Sequence, residues 1–153
     1  MILSLDTTIV IETMRRRSPV ARDRLRAAVG SGARPTVCAV VLHELVLGSW
    51  LSGNQPLERA RIDEALLGIE VAELTSEDAE ITGRVGALLR RTGRQIGDID
   101  TLIAGQALAR GWTVVTGNVR HFGRVEGLPI IDWTVGPNPL SADEIAQRVA
   151  QGD

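Results

Sequence analysis

Lysine is absent from this chain, and features that mark several common protein classes are missing with it. All 17 basic residues are arginine, and the formal net charge at pH 7 is −2. No long cationic run occurs, so the chain lacks the electrostatic footprint of a protein that coats DNA non-specifically. The single cysteine, Cys38, cannot form an intrachain disulfide, which fits a reducing compartment.

Long apolar runs are missing too, since none approaches the ~20 residues needed to cross a bilayer. The N-terminus, Met1-Ile2-Leu3-Ser4-Leu5, meets an acid at Asp6 without a basic leader or a small-residue cleavage site, so we expect no signal peptide. A chain of 153 residues can bury one core but is too short for two ordinary domains. We therefore expect a single cytoplasmic domain that does not associate with membranes.

Short apolar runs alternate with helical patterns along the chain, which predicts an α/β domain with a mostly parallel sheet of about five strands. The predicted strands are Ile2–Leu5, Thr36–Val40, Ile69–Leu74, Thr113–Thr116 and Pro129–Ile131. The predicted helices are Thr8–Arg17, Pro19–Val29, Val41–Trp50, Leu57–Leu67, Ser76–Arg91 and Asp98–Arg110.

The end of the chain has a different character. Residues 136–139, Gly-Pro-Asn-Pro, cannot continue a strand. The following Ser141-Ala142-Asp143-Glu144 matches a capping box ahead of an apolar face. We expect one domain over residues 1–135 and, over 136–153, a linker with a short helix whose docking partner the sequence leaves open.

Acidic residues recur beside the predicted strand ends. Asp6 directly follows the first strand, and ligands of parallel α/β sheets bind in the crevice outside the carboxyl ends of the strands. Glu44 falls on the first turns of the helix after the second strand. Asp98 and Asp100 open a helix that precedes a strand, so an irregular connection must bring them to the same edge. Asn118 and His121 lie in the loop after the fourth strand and can face the crevice.

Carboxylates gathered in one crevice repel each other and stay ionised only if cations neutralise them or they share a proton. Oxygen ligands without a histidine or thiolate cluster suit Mg²⁺ or Mn²⁺ better than zinc. The chemistry that matches is metal-assisted phosphodiester hydrolysis, which needs no covalent nucleophile.

Each of these residues also has a purely structural interpretation. Asp6 can cap the following helix, and Glu44 can pair with an arginine. Asp98, directly after Gly97, has the position of an N-cap, which leaves Asp100 as the better ligand. Asn118 can be a turn residue and His121 a surface histidine.

Four segments resemble the motifs of PIN-domain ribonucleases of the VapC type, in the expected order and over residues 2 to about 133. They are Leu5-Asp6-Thr7-Thr8, His43-Glu44-Leu45-Val46-Leu47-Gly48, the run from Ile96 to Ala104, and the run from Val114 to Phe122. The resemblance implies a three-layer α/β/α fold and endoribonuclease activity that depends on Mg²⁺ or Mn²⁺. It further implies a homodimer that acts as the toxin of a bacterial toxin–antitoxin pair and is inhibited by a small antitoxin.

Matching by motif makes Asp6, Glu44 and Asp100 the metal-binding acids, which are also the catalytic residues. Thr7 and Thr116 match positions suited to orient the site by hydrogen bonding. The family commonly has an acid after the fourth strand, where this chain offers Asn118 and His121, with Asp98 a further candidate for a fourth ligand or supporting role. Arg15, Arg16 and Arg17 are candidates for contacts with RNA phosphates.

Several alternatives fail on single positions. A haloacid-dehalogenase-type phosphatase needs an acid at Thr8 and a lysine, and a phospho-acceptor response regulator needs that lysine too. A zinc protease would need a second histidine at Leu47. The glycines Gly30 and Gly32 do not form a dinucleotide fingerprint after a strand. A PIN-like module that binds RNA or protein without cutting stays open, because the fourth acid is replaced.

Overall fold

The computed structural model describes residues 1–15 and 19–151. Five parallel strands form one sheet in the order β3-β2-β1-β4-β5. Their bounds are β1 Ile2–Leu5, β2 Arg34–Cys38, β3 Glu70–Ala72, β4 Thr113–Val115 and β5 Ile130–Ile131. The chain builds outward from β1 on one side and then returns to build β4 and β5 on the other. The strand order therefore reverses between β1 and β4, which is where a parallel sheet opens a crevice for ligands.

Helices cover the sheet and complete the three-layer α/β/α arrangement. Those within the described ranges are α1 Thr7–Met14, α2 Val20–Gly30, α3 Ala39–Leu51, α4 Gln55–Ala65, α5 Ser76–Arg91, α6 Asp98–Ala109, α7 Val119–Phe122 and α8 Ala142–Ala150. The predicted fold class is confirmed. None of these helices is long and apolar enough to cross a membrane.

The central strand shows why the sheet is parallel and covered. Leu3, Ser4 and Leu5 are all buried, so β1 has protein on both faces, as βαβ crossovers require. Apolar side chains from β2, β4 and β5 join it in the core, including Val37, Val114 and Ile130.

Predicted and observed boundaries differ at a few places. Val40, assigned to a strand, lies in the first turn of α3, and the loop predicted over residues 116–122 contains the four-residue helix α7. The helix predicted to reach Arg17 ends at Met14, and residues 16–18 lie outside the described ranges. Gly97 with φ 92°, and not Asp98, is the N-cap residue of α6, so the capping assignment of Asp98 was wrong.

Helices α5 and α6 form an antiparallel pair that supplies the irregular connection. Gly105 lies against Thr82, and Gly86 lies near Thr101, so the two helices run in opposite directions. At one end of the pair, Asp78 accepts hydrogen bonds from Nε (2.9 Å) and Nη2 (2.5 Å) of Arg110. The chain reverses direction over residues 92–97, and α6 then begins at Asp98 with Asp100 in its first turn.

Helix α8 docks on the domain, which resolves a point that the sequence left open. A methyl group at Gly123, just after α7, would lie 2.7 Å from Cγ2 of Ile145 and 2.9 Å from Cγ2 of Val149. Arg148 Nη1 lies 3.1 Å from Oδ2 of the buried Asp132. The absence of a side chain on Gly123 therefore permits the close approach of α7 and α8.

Candidate active site

Asp6 lies at the carboxyl end of the central strand and is almost fully buried, with 3% of its surface exposed. Its backbone N–H extends the sheet by donating to Val115 O at 3.1 Å. Its Oδ1 accepts the backbone N–H of Ile9 at 2.9 Å and so caps α1. The structural interpretation of Asp6 as a helix cap is thus correct, and it leaves Oδ2 for other partners.

Two threonine hydroxyls hold the Asp6 carboxylate. Thr116 Oγ1, just after β4, donates to Oδ2 at 2.5 Å, and Thr8 Oγ1 lies 2.8 Å from Oδ1 and 3.0 Å from Oδ2. Asn118 N in turn donates to Thr116 Oγ1 at 2.8 Å. The role of Thr8 was missed from the sequence. A hydroxyl two residues after an aspartate at a helix start is the local signal that could have identified it.

Burial raises the pKa of Asp6 from 3.8 to about 6. The hydrogen bonds from Thr116, Ile9 and Thr8 oppose this rise, and the negative charge of Asp100 adds to it. Asp6 and Asp100 thus repel each other in their ionised forms, although they come from strand β1 and helix α6. A cation beside them would offset both the burial cost and this repulsion.

Glu44 comes to the same end of the sheet through Thr7. It lies on α3, which leaves β2, and its Oε2 accepts a hydrogen bond from Oγ1 of Thr7 at the start of α1. Thr7 is adjacent to Asp6, so this bond ties Glu44 to the segment that carries the central acid. Thr7 is predicted to orient the site by hydrogen bonding, and Glu44 is the residue that it contacts.

Asp100 contacts His121, whereas Asp98 pairs with an arginine at the surface. Nδ1 of His121 on α7 lies 2.9 Å from Oδ2 of Asp100. The Asp98 side chain is 89% exposed and pairs with Nη2 of Arg90 at 3.1 Å. Asn118 is the N-cap residue of α7 without a side-chain cap bond, and it contacts the site through its backbone N–H, which donates to Thr116 Oγ1.

The donor set is compatible with Mg²⁺ or Mn²⁺ and not with a closed zinc site. Within residues 1–15 and 19–151, no three His, Cys, Asp or Glu side chains are grouped closely enough to hold a metal ion, and this includes the predicted ligands Asp6, Glu44 and Asp100. Structural zinc sites use four protein ligands, whereas Mg²⁺ usually takes one or two carboxylates and keeps several waters. Asp6 is a buried carboxylate, and the negative charge of Asp100 raises its pKa. Two such carboxylates suit Mg²⁺ or Mn²⁺.

Of the three arginines predicted to contact RNA, the structure describes Arg15. Arg15 is exposed at the end of α1, and Arg16 and Arg17 lie outside the described ranges. Of the neighbouring arginines, Arg22 donates from Nη2 to Thr13 O at 2.8 Å, which joins α2 to α1. That residue therefore has a structural role.

A model of the PIN domain matches residues 3–128 of the chain. The chain belongs to the PIN-domain family. Within the family its relatives are VapC ribonucleases. The tRNA(fMet)-specific endonuclease VapC of Shigella flexneri is 35% identical over 130 residues, which are 85% of this chain and 96% of the relative. The enzyme of the same description from Salmonella typhimurium is 33% identical over 129 residues, or 84% of this chain and 96% of the relative.

Solved VapC structures have the same PIN-domain fold as this chain. The DNA-bound VapBC complex of Salmonella typhimurium superposes with a TM-score of 0.80 at 32% identity and covers 87% of this chain and 98% of that one. VapBC2 of Rickettsia felis, bound to a DNA fragment from its promoter, also gives a TM-score of 0.80, at 25% identity, with 86% and 98% covered. Helix α8 lies beyond the last residue that the PIN-domain model matches.

Proposed function

We propose that this PIN-domain protein is a divalent-metal-dependent endoribonuclease, that it acts as the toxin of a toxin–antitoxin pair, and that Asp6, Glu44 and Asp100 form its active site. The observation that carries this proposal is the position of Asp6. It lies buried at the reversal of strand order, bonded to Thr116 from β4 and under the electrostatic influence of Asp100 from α6. Carboxylates that meet at one point can bind the cation that metal-dependent phosphodiester hydrolysis uses.

In this proposal the acidic side chains hold a cation, and threonine side chains keep the acids in place by hydrogen bonding. Asp6 and Asp100 would hold Mg²⁺ or Mn²⁺, and Glu44 would complete the acidic pocket from the α3 side. Thr116 and Thr8 hold the Asp6 carboxylate, and Thr7 holds that of Glu44. When bound, the ion supplies Lewis acidity towards the phosphodiester and an activated water. With no lysine in the chain, arginines are the side chains available for RNA phosphates.

A cleavage assay tests the enzyme function. Structured RNA is incubated with Mg²⁺, with Mn²⁺ and with EDTA, using wild type, Asp6→Asn, Glu44→Gln and Asp100→Asn. We expect cutting only with metal, and a loss of at least 100-fold in each variant, because each removes a charge without changing side-chain size. Asp63→Asn, which changes an exposed acid on α4, is the matched control and should cut like wild type.

Two outcomes contradict the enzyme proposal in different ways. Cutting in EDTA, or cutting that survives both Asp6→Asn and Asp100→Asn, would exclude the metal mechanism. RNA binding by wild type without cutting under any condition would instead support the non-catalytic PIN-like module.

We propose that the antitoxin binds in a groove between α1, α2, α3 and α4. Apolar side chains including Ile11, Leu25 and Leu57 line it, and Glu44 lies on its wall. The VapBC structures that this chain resembles are toxin–antitoxin complexes. An antitoxin segment in this groove would reach an acid of the proposed active site and block it.

Co-expression with the neighbouring reading frame tests this assignment. The wild-type chain should co-purify with its product and lose activity. Leu25→Glu should release the antitoxin while the freed toxin still cuts RNA. Retention of the antitoxin by Leu25→Glu would place the interface elsewhere.

A homodimer is proposed through the end of α3. Trp50 and Leu51 are 70% and 80% exposed, and Leu47 lies one turn before them. Large apolar side chains grouped on a surface mark interaction sites. Light scattering should give a dimer for wild type and a monomer for Trp50→Glu, and a monomeric wild type would refute this interface. We also propose that the protein acts in the cytoplasm, where it would meet an RNA substrate and an antitoxin.

A further inference from the structure

His121 occupies the segment where the VapC motif commonly carries an acid, and it contacts an acid of the proposed site. Its Nδ1 lies 2.9 Å from Oδ2 of Asp100, with 36% of the histidine side chain and 28% of the aspartate side chain exposed. The two residues come from α7 and α6, which are packed together. A direct side-chain contact therefore joins the fourth motif of this chain to the third.

The backbone that carries His121 is held in place from two sides. Val119 and Phe122, on either side of it in α7, are buried in the core. Gly123 lies against Ile145 and Val149 of α8, which covers the outer side of α7. A short helix anchored in this way places the imidazole against Asp100 reproducibly, which is what a residue needs if it is to orient another.

The chemistry of the contact depends on which ring nitrogen carries the proton. Asp100 is ionised when it holds a cation, so the atom facing it must donate. A neutral imidazole achieves this as the Nδ1–H tautomer, which leaves Nε2 as an acceptor. An acid at position 121 would instead add negative charge beside Asp100. Histidine thus replaces repulsion with a hydrogen bond.

We propose that His121 is a positioning residue. Its Nδ1–H fixes the orientation of the Asp100 carboxylate, so that Oδ1 is presented to the metal ion while Oδ2 is held by the ring. This inference rests on the proposed function for the identity of the ion. The hydrogen bond itself is a property of the metal-free protein. Partners that orient metal ligands in this way typically contribute 10- to 100-fold to metal affinity.

The tautomer can be read directly by long-range ¹H–¹⁵N NMR of the metal-free protein at pH 8. The chain contains two histidines, and His43 is exposed on α3, so it serves as an internal reference and is assigned with His43→Gln. We expect protonated Nδ1 and unprotonated Nε2 in His121. In Asp100→Ala, which removes the acceptor, the preference for this tautomer should be lost. Protonation of Nε2 in wild type would overturn the proposal without any measurement of activity.

Two amide substitutions separate positioning from direct ligation. The amide of His121→Asn lies close to the place of Nδ1, whereas that of His121→Gln lies close to the place of Nε2. Calorimetric titration of Mn²⁺ should show His121→Asn within about threefold of wild type and His121→Gln weaker by 10- to 100-fold. His121→Phe should match the Gln variant, and thermal melts check that all three fold.

The reverse order, with Gln retaining affinity and Asn losing it, would identify His121 as a ligand through Nε2 and refute the positioning role. Equal affinity in all variants would refute it as well. Failure of the proposed function looks different: Mn²⁺ would not bind wild type, or cutting would survive Asp6→Asn. In either case the NMR tautomer would still decide the role of His121.

Discussion

Thr116 Oγ1 donates a hydrogen bond of 2.5 Å to Oδ2 of Asp6, although 110 positions separate the two residues in the chain. The bond crosses the point where the strand order reverses, from the end of β4 to the end of β1. It stabilises the charged form of a carboxylate that burial would otherwise neutralise. This hydrogen bond lowers the pKa of Asp6 and joins the ends of β1 and β4 at the proposed site.

Removal of the Thr116 hydroxyl should raise the pKa of Asp6 above about 6, because this hydrogen bond is the largest effect that lowers it. We expect this for Thr116→Val, which keeps the side-chain shape, and a value near wild type for Thr116→Ser. Carboxyl ¹³C NMR titration in EDTA measures it, with Asp6→Asn to assign the resonance. An Asp6 pKa unchanged in the Val variant would show that the hydroxyl does not stabilise the carboxylate.

Asp6 should reduce the stability of the metal-free fold at neutral pH. Its pKa is higher in the folded chain than the ordinary 3.8, so its contribution to folding is most favourable below pH 3.8 and is lost as the pH rises through about 6. In EDTA at pH 8, Asp6→Asn should therefore unfold at higher urea, with a gain of up to about 3 kcal/mol. The gain should nearly vanish at pH 4. A variant equally destabilised at both pH values would contradict this.

The Asp78–Arg110 pair should be important for stability. Asp78 is buried, and the hydrogen bonds from Arg110 hold its pKa well below 3.8. Arg110→Gln should cost about 3–5 kcal/mol at pH 7, because it leaves a buried carboxylate without its cation. The contribution of the pair is present above the ordinary carboxyl pKa and is lost as the pH falls through the lowered one. Urea unfolding at pH 7 and pH 3 should therefore show a smaller difference at the lower pH.

A surface pair provides the control for that experiment. Arg59 and Asp63, at 3.0 Å on α4, are both about half exposed. Arg59→Gln should change stability by less than about 1 kcal/mol. Equal losses from the two arginine variants would mean that burial of Asp78 does not matter.

Gly105 should resist even alanine. A methyl group there would lie 2.5 Å from Cγ2 and 2.7 Å from the Cα of Thr82, so helix α5 itself would have to move. Gly105→Ala should destabilise by about 1–3 kcal/mol or more, despite the helix propensity of alanine. Gly83→Ala, at an open position in α5, should stabilise by up to about 1 kcal/mol. Thermal unfolding compares the two, and a gain from both would mean that α5 and α6 are less closely packed.

The basic residues Arg15, Arg16 and Arg17, which follow α1 in the sequence, provide a test of RNA binding. Replacing Arg15, Arg16 and Arg17 together with Gln should weaken RNA binding and flatten its dependence on salt, since fewer counterions are released. Fluorescence anisotropy with Asp6→Asn protein, across a salt series, measures binding without cutting. Binding unchanged at every salt concentration would show that these arginines form a solvated surface.

The elements could be predicted because their signals are local. Apolar runs and capping residues identified all five strands and most helices to within a few residues, and Ser141 with Glu144 identified α8. Helix α7 was missed because four residues are too few to show a helical period. Asp98 was misjudged because position after a glycine does not reveal that the glycine itself is the cap.

The acids could be named from the sequence because parallel strands end at one edge and because the motifs resemble those of a known family. The residues that these acids contact could not be predicted from the sequence. Chain order did not bring Asp100 to Asp6, since that depends on the reversal between α5 and α6 and on packing between Gly105 and Thr82. Nor did it show Thr116 bonding Asp6, His121 bonding Asp100 or α8 covering α7. Periodicity and residue type act over one or two turns of chain, whereas these contacts depend on how separate elements pack in three dimensions, so only the tertiary structure decided them.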